Sequence, residues 1–169
     1  MALVIGNIFS LLSAICIAVS ALKKSKKDFM YWQIGDTFFG MFANIALSAY
    51  AALIISMACF IRNILSYKER LTMKITLFLV LLSITIGVYV NNLGIIGWLP
   101  IIASASYTIC VFVTKNEQQM RYALAINQLL WFIHNLYVRA YPSSVACIVL
   151  SLWTGIQIIK NRERQCKKN

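Results

Sequence analysis

Seven apolar stretches of about twenty residues follow one another along this chain, and basic residues crowd into every second joint between them. The stretches lie near 2–22, 29–48, 50–67, 73–90, 97–114, 121–139 and 142–160. About 20 residues of α-helix, at roughly 1.5 Å of rise each, cover the hydrocarbon core of a bilayer. Within that core every backbone N–H and C=O needs an internal partner, which restricts a crossing segment to a helix or a strand of a closed barrel. The composition points the same way. With 60% hydrophobic and 12% charged residues and a mean hydropathy of +0.74, a soluble domain could not hide its apolar surface.

The charges set a direction. If the amino terminus lies outside, the inner side carries Lys23, Lys24, Lys26, Lys27, Arg62, Lys68, Arg70, Lys74, Lys115, Arg121, Lys160, Arg162, Arg164, Lys167 and Lys168, and only Arg139 lies outside. Such a bias marks the cytoplasmic face, and this one holds only for an odd number of spans. It also accounts for the net charge of +11 without nucleic acid as a partner. The first stretch has its basic residues after the apolar run, opposite to a cleaved signal peptide, and reads as a retained span. Arg62 sits near the inner end of its span, from which its stem is expected to snorkel to the interface.

A shift of 91 residues lays the chain on itself. Residues 5–67 against 96–158, without a gap, give nine identities, among them Gly6/Gly97, Ser13/Ser104, Asn44/Asn135 and Tyr50/Tyr141. Asp36, Gly40, Asn44 and Ser48 recur at four-residue spacing, and Asn127, Trp131, Asn135 and Arg139 repeat that spacing 91 residues on. The expected fold is therefore all-α and polytopic, seven transmembrane helices arranged 3+1+3 as parallel repeats. Its parts are a first three-helix unit (1–67), a linking helix (68–92), a second unit (93–160) and a basic cytoplasmic tail (161–169). The joints at 48–50 and 140–142 read as tight helical hairpins, with Pro142 in the first turn of the last span. Pro100 is likewise expected in a first turn, leaving no span kinked at mid-length.

Several chemistries find no residues here. There is a single His, no Cys/His ligand spacing for a metal, no Gly-rich phosphate loop and no Ser-His-Asp set, so neither a cofactor nor catalytic residues are expected. Cys16, Cys59, Cys110 and Cys147 lie within apolar stretches and Cys166 in the tail, a distribution that does not suit structural disulfides.

What remains is a polar set inside apolar helices. Asp36 is the one acidic residue within a span. A carboxylate there costs a few kcal/mol on insertion scales and faces the bundle interior. It suits proton or cation coupling, or acceptance of hydrogen bonds from a polar solute; alternatively, neighbouring helices satisfy it. Asn44, Asn127 and Asn135 offer amide donors and acceptors to a neutral solute. Trp131, near mid-membrane, suits stacking on a ring, and equally suits plain packing. His134 suits proton exchange or substrate hydrogen bonding, or an interhelical hydrogen bond.

The run Trp131-Phe132-Ile133-His134-Asn135, with the tight turn and last span to Lys160, resembles the YgjV-type bacterial inner-membrane proteins. Tyr50 through Ile61-Arg62 is similar as well. The 3+1+3 layout resembles the SWEET and PQ-loop transporters, although the Pro-Gln pair is absent. The resemblance implies a cytoplasmic-membrane location and a transport fold. The expectation is thus a carrier of a small polar solute (sugar, nucleoside, vitamin or metabolite) by alternating access. The alternative is a receptor or partner subunit on the same scaffold. Membrane lipids and the solute are the expected partners, and a homo-oligomer is compatible with the chain.

The charge bias makes the orientation testable. In a Cys-less background, a single cysteine at Ser25 or Asn116 should resist a membrane-impermeant thiol reagent in intact cells and react in inverted vesicles. Labelling from outside at either position would overturn the orientation.

Overall fold

The computed structural model describes residues 1–23, 25–113 and 117–166, and these form seven α-helices. They are α1 (Ala2–Leu22), α2 (Lys26–Ala46), α3 (Tyr50–Tyr67), α4 (Met73–Tyr89), α5 (Ile95–Val113), α6 (Glu117–Tyr137) and α7 (Tyr141–Cys166). Lys24, the joint at 114–116 and the last three residues of the basic tail lie outside the described residues. By length and composition α1, α3 and α5 are apolar enough to cross a membrane, and α4 is a shorter apolar helix of 17 residues.

At their basic ends α2 and α7 run beyond the apolar stretches. α2 starts at Lys26 rather than near 29, and α7 runs on to Cys166 rather than stopping near 160. Hydropathy marks where a segment leaves hydrocarbon, and Lys, Arg, Glu and Gln are good helix formers that let it continue into water. At α5 the early start has a consequence. The helix begins at Ile95, which puts Pro100 in the second turn, inside the helix. The expected first-turn position is corrected accordingly. With no N–H at residue 100, the carbonyl of Ile96 loses its helical donor.

The distribution of side chains is reversed from that of a soluble bundle. α1 buries Gly6, Ser10, Ser13, Ala14, Ile17 and Ser20 and exposes Val4, Ile8, Leu11 and Ile15. Ala18, in register with the small-residue row Gly6-Ser10-Ala14, is exposed. α4 buries Thr76, Ser83 and Gly87 together with Leu79 and Val80, while exposing Leu77, Phe78, Leu81 and Leu82. Lipid tails are as apolar as leucine, so helices gain nothing by burying leucine. They associate instead through small residues that permit close approach and polar groups that pair.

Six helices close a ring in the order α1, α2, α3, α5, α6, α7, and α7 packs back on α1. α4 lies outside it, against α3 and α5 only. Among the described residues the backbones of α2 and α6 do not approach closely, and the ring order sets them opposite each other. The packing order is unchanged when α1, α2 and α3 are exchanged with α5, α6 and α7.

Two turns hold the hairpins, with one geometry. After α2, Leu47, Ser48 and Ala49 donate their N–H groups to the carbonyls of Ala43, Ile45 and Asn44 at 3.0, 3.1 and 2.9 Å. After α6, Val138, Arg139 and Ala140 donate to His134, Leu136 and Asn135 at 3.0, 3.3 and 2.8 Å. Each is a Schellman cap with a left-handed residue, Ser48 at φ 54° and Arg139 at φ 63°. An asparagine from elsewhere pins each turn. Asn92 Nδ2 donates to the Ser48 carbonyl at 2.8 Å, and Asn7 Nδ2 to the Arg139 carbonyl at 3.1 Å.

A left-handed residue with a Cβ costs roughly 1–2 kcal/mol, part of which glycine regains before its larger unfolded-state entropy is subtracted. Ser48→Gly and Arg139→Gly should each stabilise the purified protein in detergent by about 0.5–1 kcal/mol. Ser48→Val should destabilise it. Equal thermal midpoints for all three and the parent would rule out strain at these caps.

Candidate functional site

A cavity of about 100 Å³ lies inside the ring. Its lining on α2 runs from Gln33 to Asn44, which at 1.5 Å per residue is about 16 Å, half the hydrocarbon thickness. Asp36, Gly40 and Asn44 share that wall because four-residue steps keep them on one face. α6 supplies the opposite wall with Asn127, Gln128, Trp131 and Asn135, and α3 contributes Ser56, Cys59, Arg62 and Asn63. Among the described residues, the structure thus gathers five of the six sequence-predicted site residues in one lining.

The sixth, His134, is not part of that lining. It is fully buried, with its ring set edge-on to Trp131 at 5.7 Å and 89°. Neither ring nitrogen has a hydrogen-bond partner in bonding geometry, and the polar group it faces is the Ile96 carbonyl. That carbonyl is the one Pro100 deprives of its donor. The expectation that His134 faces the cavity therefore gives way to a position on the α5 side of α6. It is the residue next to Asn135, and a rotation of 100° about the helix axis is enough to take it out of the cavity.

Asp36 is half-buried, and its Oδ1 accepts a hydrogen bond from Ser13 Oγ on α1 at 2.5 Å. Asn44 donates to Ser56 Oγ at 3.1 Å. Asn135 stands in the same relation to Cys147, its amide 3.6 Å from Sγ. Both pairs span twelve residues and lie 91 residues apart. Trp131 packs on the buried set Ile55, Cys59 and Ile101, where α3, α5 and α6 meet, and Cys59 Sγ lies 3.1 Å from Ser104 Oγ.

Arg62 departs most from expectation. It is 3% exposed and points into the bundle rather than to the interface. Its Nε and Nη2 donate to Asn63 Oδ1 at 3.1 and 2.8 Å, and its Nη1 to Thr108 Oγ1 at 3.1 Å. The guanidinium lies over the Tyr107 ring at 5.0 Å. Asn63 in turn donates to the Gln33 carbonyl at 3.2 Å. A neutral anchoring network thus holds the cation inside, so the side chain has no reason to extend to the headgroups. The signal was present in the sequence: Ser56, Cys59, Arg62 and Asn63 recur at three- and four-residue steps, which puts the arginine on the polar face of α3.

Two lining residues carry buried polar atoms without partners, Gln33 Oε1 and Tyr107 Oη. Beyond them an apolar cluster of Met30, Tyr107, Val111 and Leu124 closes the bundle at the end where α2 and α6 begin.

A helical ring with apolar residues outside and a polar, partly unsatisfied cavity inside is the build of an integral membrane protein. The chain belongs to a family of bacterial inner membrane proteins, Imp-YgjV, whose sequence model matches residues 4–165. No curated protein and no solved structure matches the chain.

The two amide pairs make a comparison that packing alone would not move. In a double-mutant cycle read by thermal unfolding in detergent, Asn44→Ala with Ser56→Ala should show a coupling of about 0.6 kcal/mol. Asn135 with Cys147 should couple less, sulfur being a weak acceptor, and Cys147→Ser should raise that coupling. A first pair that is strictly additive would mean that its hydrogen bond contributes nothing.

Proposed function

We propose that this protein is a multi-pass carrier that moves a small polar solute across the bacterial inner membrane, with its amino terminus outside and its tail inside. The observation that carries the reading is the cavity itself. Asp36, Arg62, Asn44, Asn127 and Asn135 converge on one space in a protein whose remaining surface is fitted to lipid. A partner subunit on the same scaffold would have no need of such a lining, and a receptor would bind the solute there without letting it cross.

Two three-helix units, 1–67 and 93–160, joined by a linking helix at 68–92, make the moving parts. Support comes from the exchange of α1–α3 with α5–α7 in the packing order, from the twin caps at Ser48 and Arg139, and from the twin amide pairs. All of these lie 91 residues apart in one direction of the chain, as a parallel repeat requires. Alternating access would then rock one unit against the other, separating the apolar cluster at the inner end. The arrangement is similar in plan to SWEET-type carriers.

The test is uptake by proteoliposomes of labelled small polar solutes, drawn from sugars, nucleosides, vitamins and amino acids. At least one should enter in a protein-dependent way, and Asp36→Ala should slow its entry at least tenfold. In a proton- or cation-coupled carrier, Asp36→Asn abolishes accumulation and spares exchange; in a uniporter it changes affinity alone. Unchanged uptake by Asp36→Ala would remove Asp36 from the site. Failure of every solute class to move would favour the receptor or subunit reading.

A further inference from the structure

The cavity holds one side chain of each sign, and the protein does not pair them. Asp36 and Arg62 each take neutral partners and form no ion pair with each other. Asp36 turns to the Ser13 hydroxyl, and Arg62 to Asn63 and Thr108, both neutral. A guanidinium has five N–H donors, and these contacts occupy three, one on Nε and one on each Nη. One donor remains on each Nη, the number that the two oxygens of a carboxylate can take. In the same lining are Tyr107 Oη and Gln33 Oε1, buried and without a hydrogen bond in good geometry, the Gln33 side chain being the polar neighbour of Tyr107.

The axial offset of the two charges follows from the neighbouring contacts. Asn63 bonds the Gln33 carbonyl, which sets Arg62 near the level of Gln33. Asp36 is three residues further along α2, about 4.5 Å of rise. The two charges thus stand at neighbouring levels of one cavity without pairing, where one small molecule can meet both. The cavity, about 100 Å³, exceeds the roughly 10–15 Å³ that one water needs and falls short of the ~300–1,000 Å³ of drug-sized pockets.

Charge matching narrows the occupant. A neutral sugar would leave both ionised groups desolvated without a counter-charge. An anion alone would satisfy Arg62 and repel Asp36, and a cation alone the reverse. We infer that the site takes a small zwitterion, its carboxylate on the Arg62 guanidinium with the Tyr107 hydroxyl, and its ammonium on Asp36. This deepens the carrier reading and rests on it for transport, but not for binding. Asp36 then serves as the counter-charge of the substrate, and Gln33 Oε1 is a further acceptor for the ammonium hydrogens.

The test separates the two claims. Purified protein in detergent is assayed by thermal shift and calorimetry against small amino acids and β-amino acids. The same assay covers their carboxamides, which lack the negative charge, their N-acetyl derivatives, which lack the positive one, and simple sugars and nucleosides. At least one zwitterion should bind at least tenfold more tightly than both of its singly charged derivatives. Arg62→Gln should erase the preference over the carboxamide, and Asp36→Asn the preference over the N-acetyl form. The derivative series on the unaltered protein decides the matter even if a variant does not fold. Equal or tighter binding of a sugar, nucleoside or singly charged derivative overturns the inference and leaves the carrier reading intact, as does the absence of any zwitterion binding while another solute is taken up. Binding of a zwitterion without its uptake into proteoliposomes supports the inference and removes the carrier reading. No binding by any zwitterion and no uptake of any solute overturns both.

Discussion

Arg62 is a cation held inside an apolar bundle, and that placement constrains much of the surrounding structure. A guanidinium away from water is tolerated only where its donors are met. Asn63 and Thr108 meet three of them, so α3 must face α5 closely enough for residue 62 to reach residue 108. The Tyr107 ring under the guanidinium fixes the same contact from the other side. The α3–α5 junction joins the first three helices to the last three, and α4 covers it from outside, with Gly87 against Ile101 and Ile55. The linking helix therefore has a structural role. It shields from lipid the seam through which the buried cation is anchored.

The second seam, between α1 and α7, is built differently. Ser10 and Ser143 exchange side-chain and backbone hydrogen bonds at 2.8–3.0 Å, and Asn7 both donates to the Arg139 carbonyl and accepts from the Tyr141 N–H. At the positions 91 residues away from Ser10 and Ser143 stand Ile101 and Ala52, both buried and apolar. One seam is thus apolar and charge-anchored, and the other is a set of small hydroxyls that let two backbones approach.

How much of this the amino-acid sequence disclosed depends on which property is asked of it. Seven helices could be read because twenty apolar residues admit few other outcomes in lipid. Asp36, Asn44, Asn127, Trp131 and Asn135 could be found because a four-residue step keeps residues on one helical face. His134 was misplaced by adjacency, since neighbours on a helix point 100° apart. Arg62 was misplaced by a rule for helix ends that knows nothing of Thr108, a residue 46 positions away. Tyr107 had no local signal, and Gln33 showed only a polar residue one turn before Asp36, because their importance lies in what their polar atoms lack, and a missing partner is visible only in three dimensions. The inward Pro100 depended on a helix starting two residues before its apolar run.

The proposed repeat makes the distribution of charge informative. Counting 91 residues on, Asp36 corresponds to Asn127, and Arg62 to Trp153, which is exposed on the far side of α7. The amides, the caps and the hairpins recur, whereas the two charges do not. Both charged contacts to a solute would then come from the first unit, and the second would supply Asn127, Trp131 and Asn135 as a neutral wall. A charged contact within a low-dielectric cavity is far stronger than an amide or aromatic one. A solute so held would stay with the first unit as the second moves, and the second unit would act as the gate. On the proposed reading, duplication would provide two units that rock about a shared axis, and the asymmetry in charge would decide which of them carries the solute.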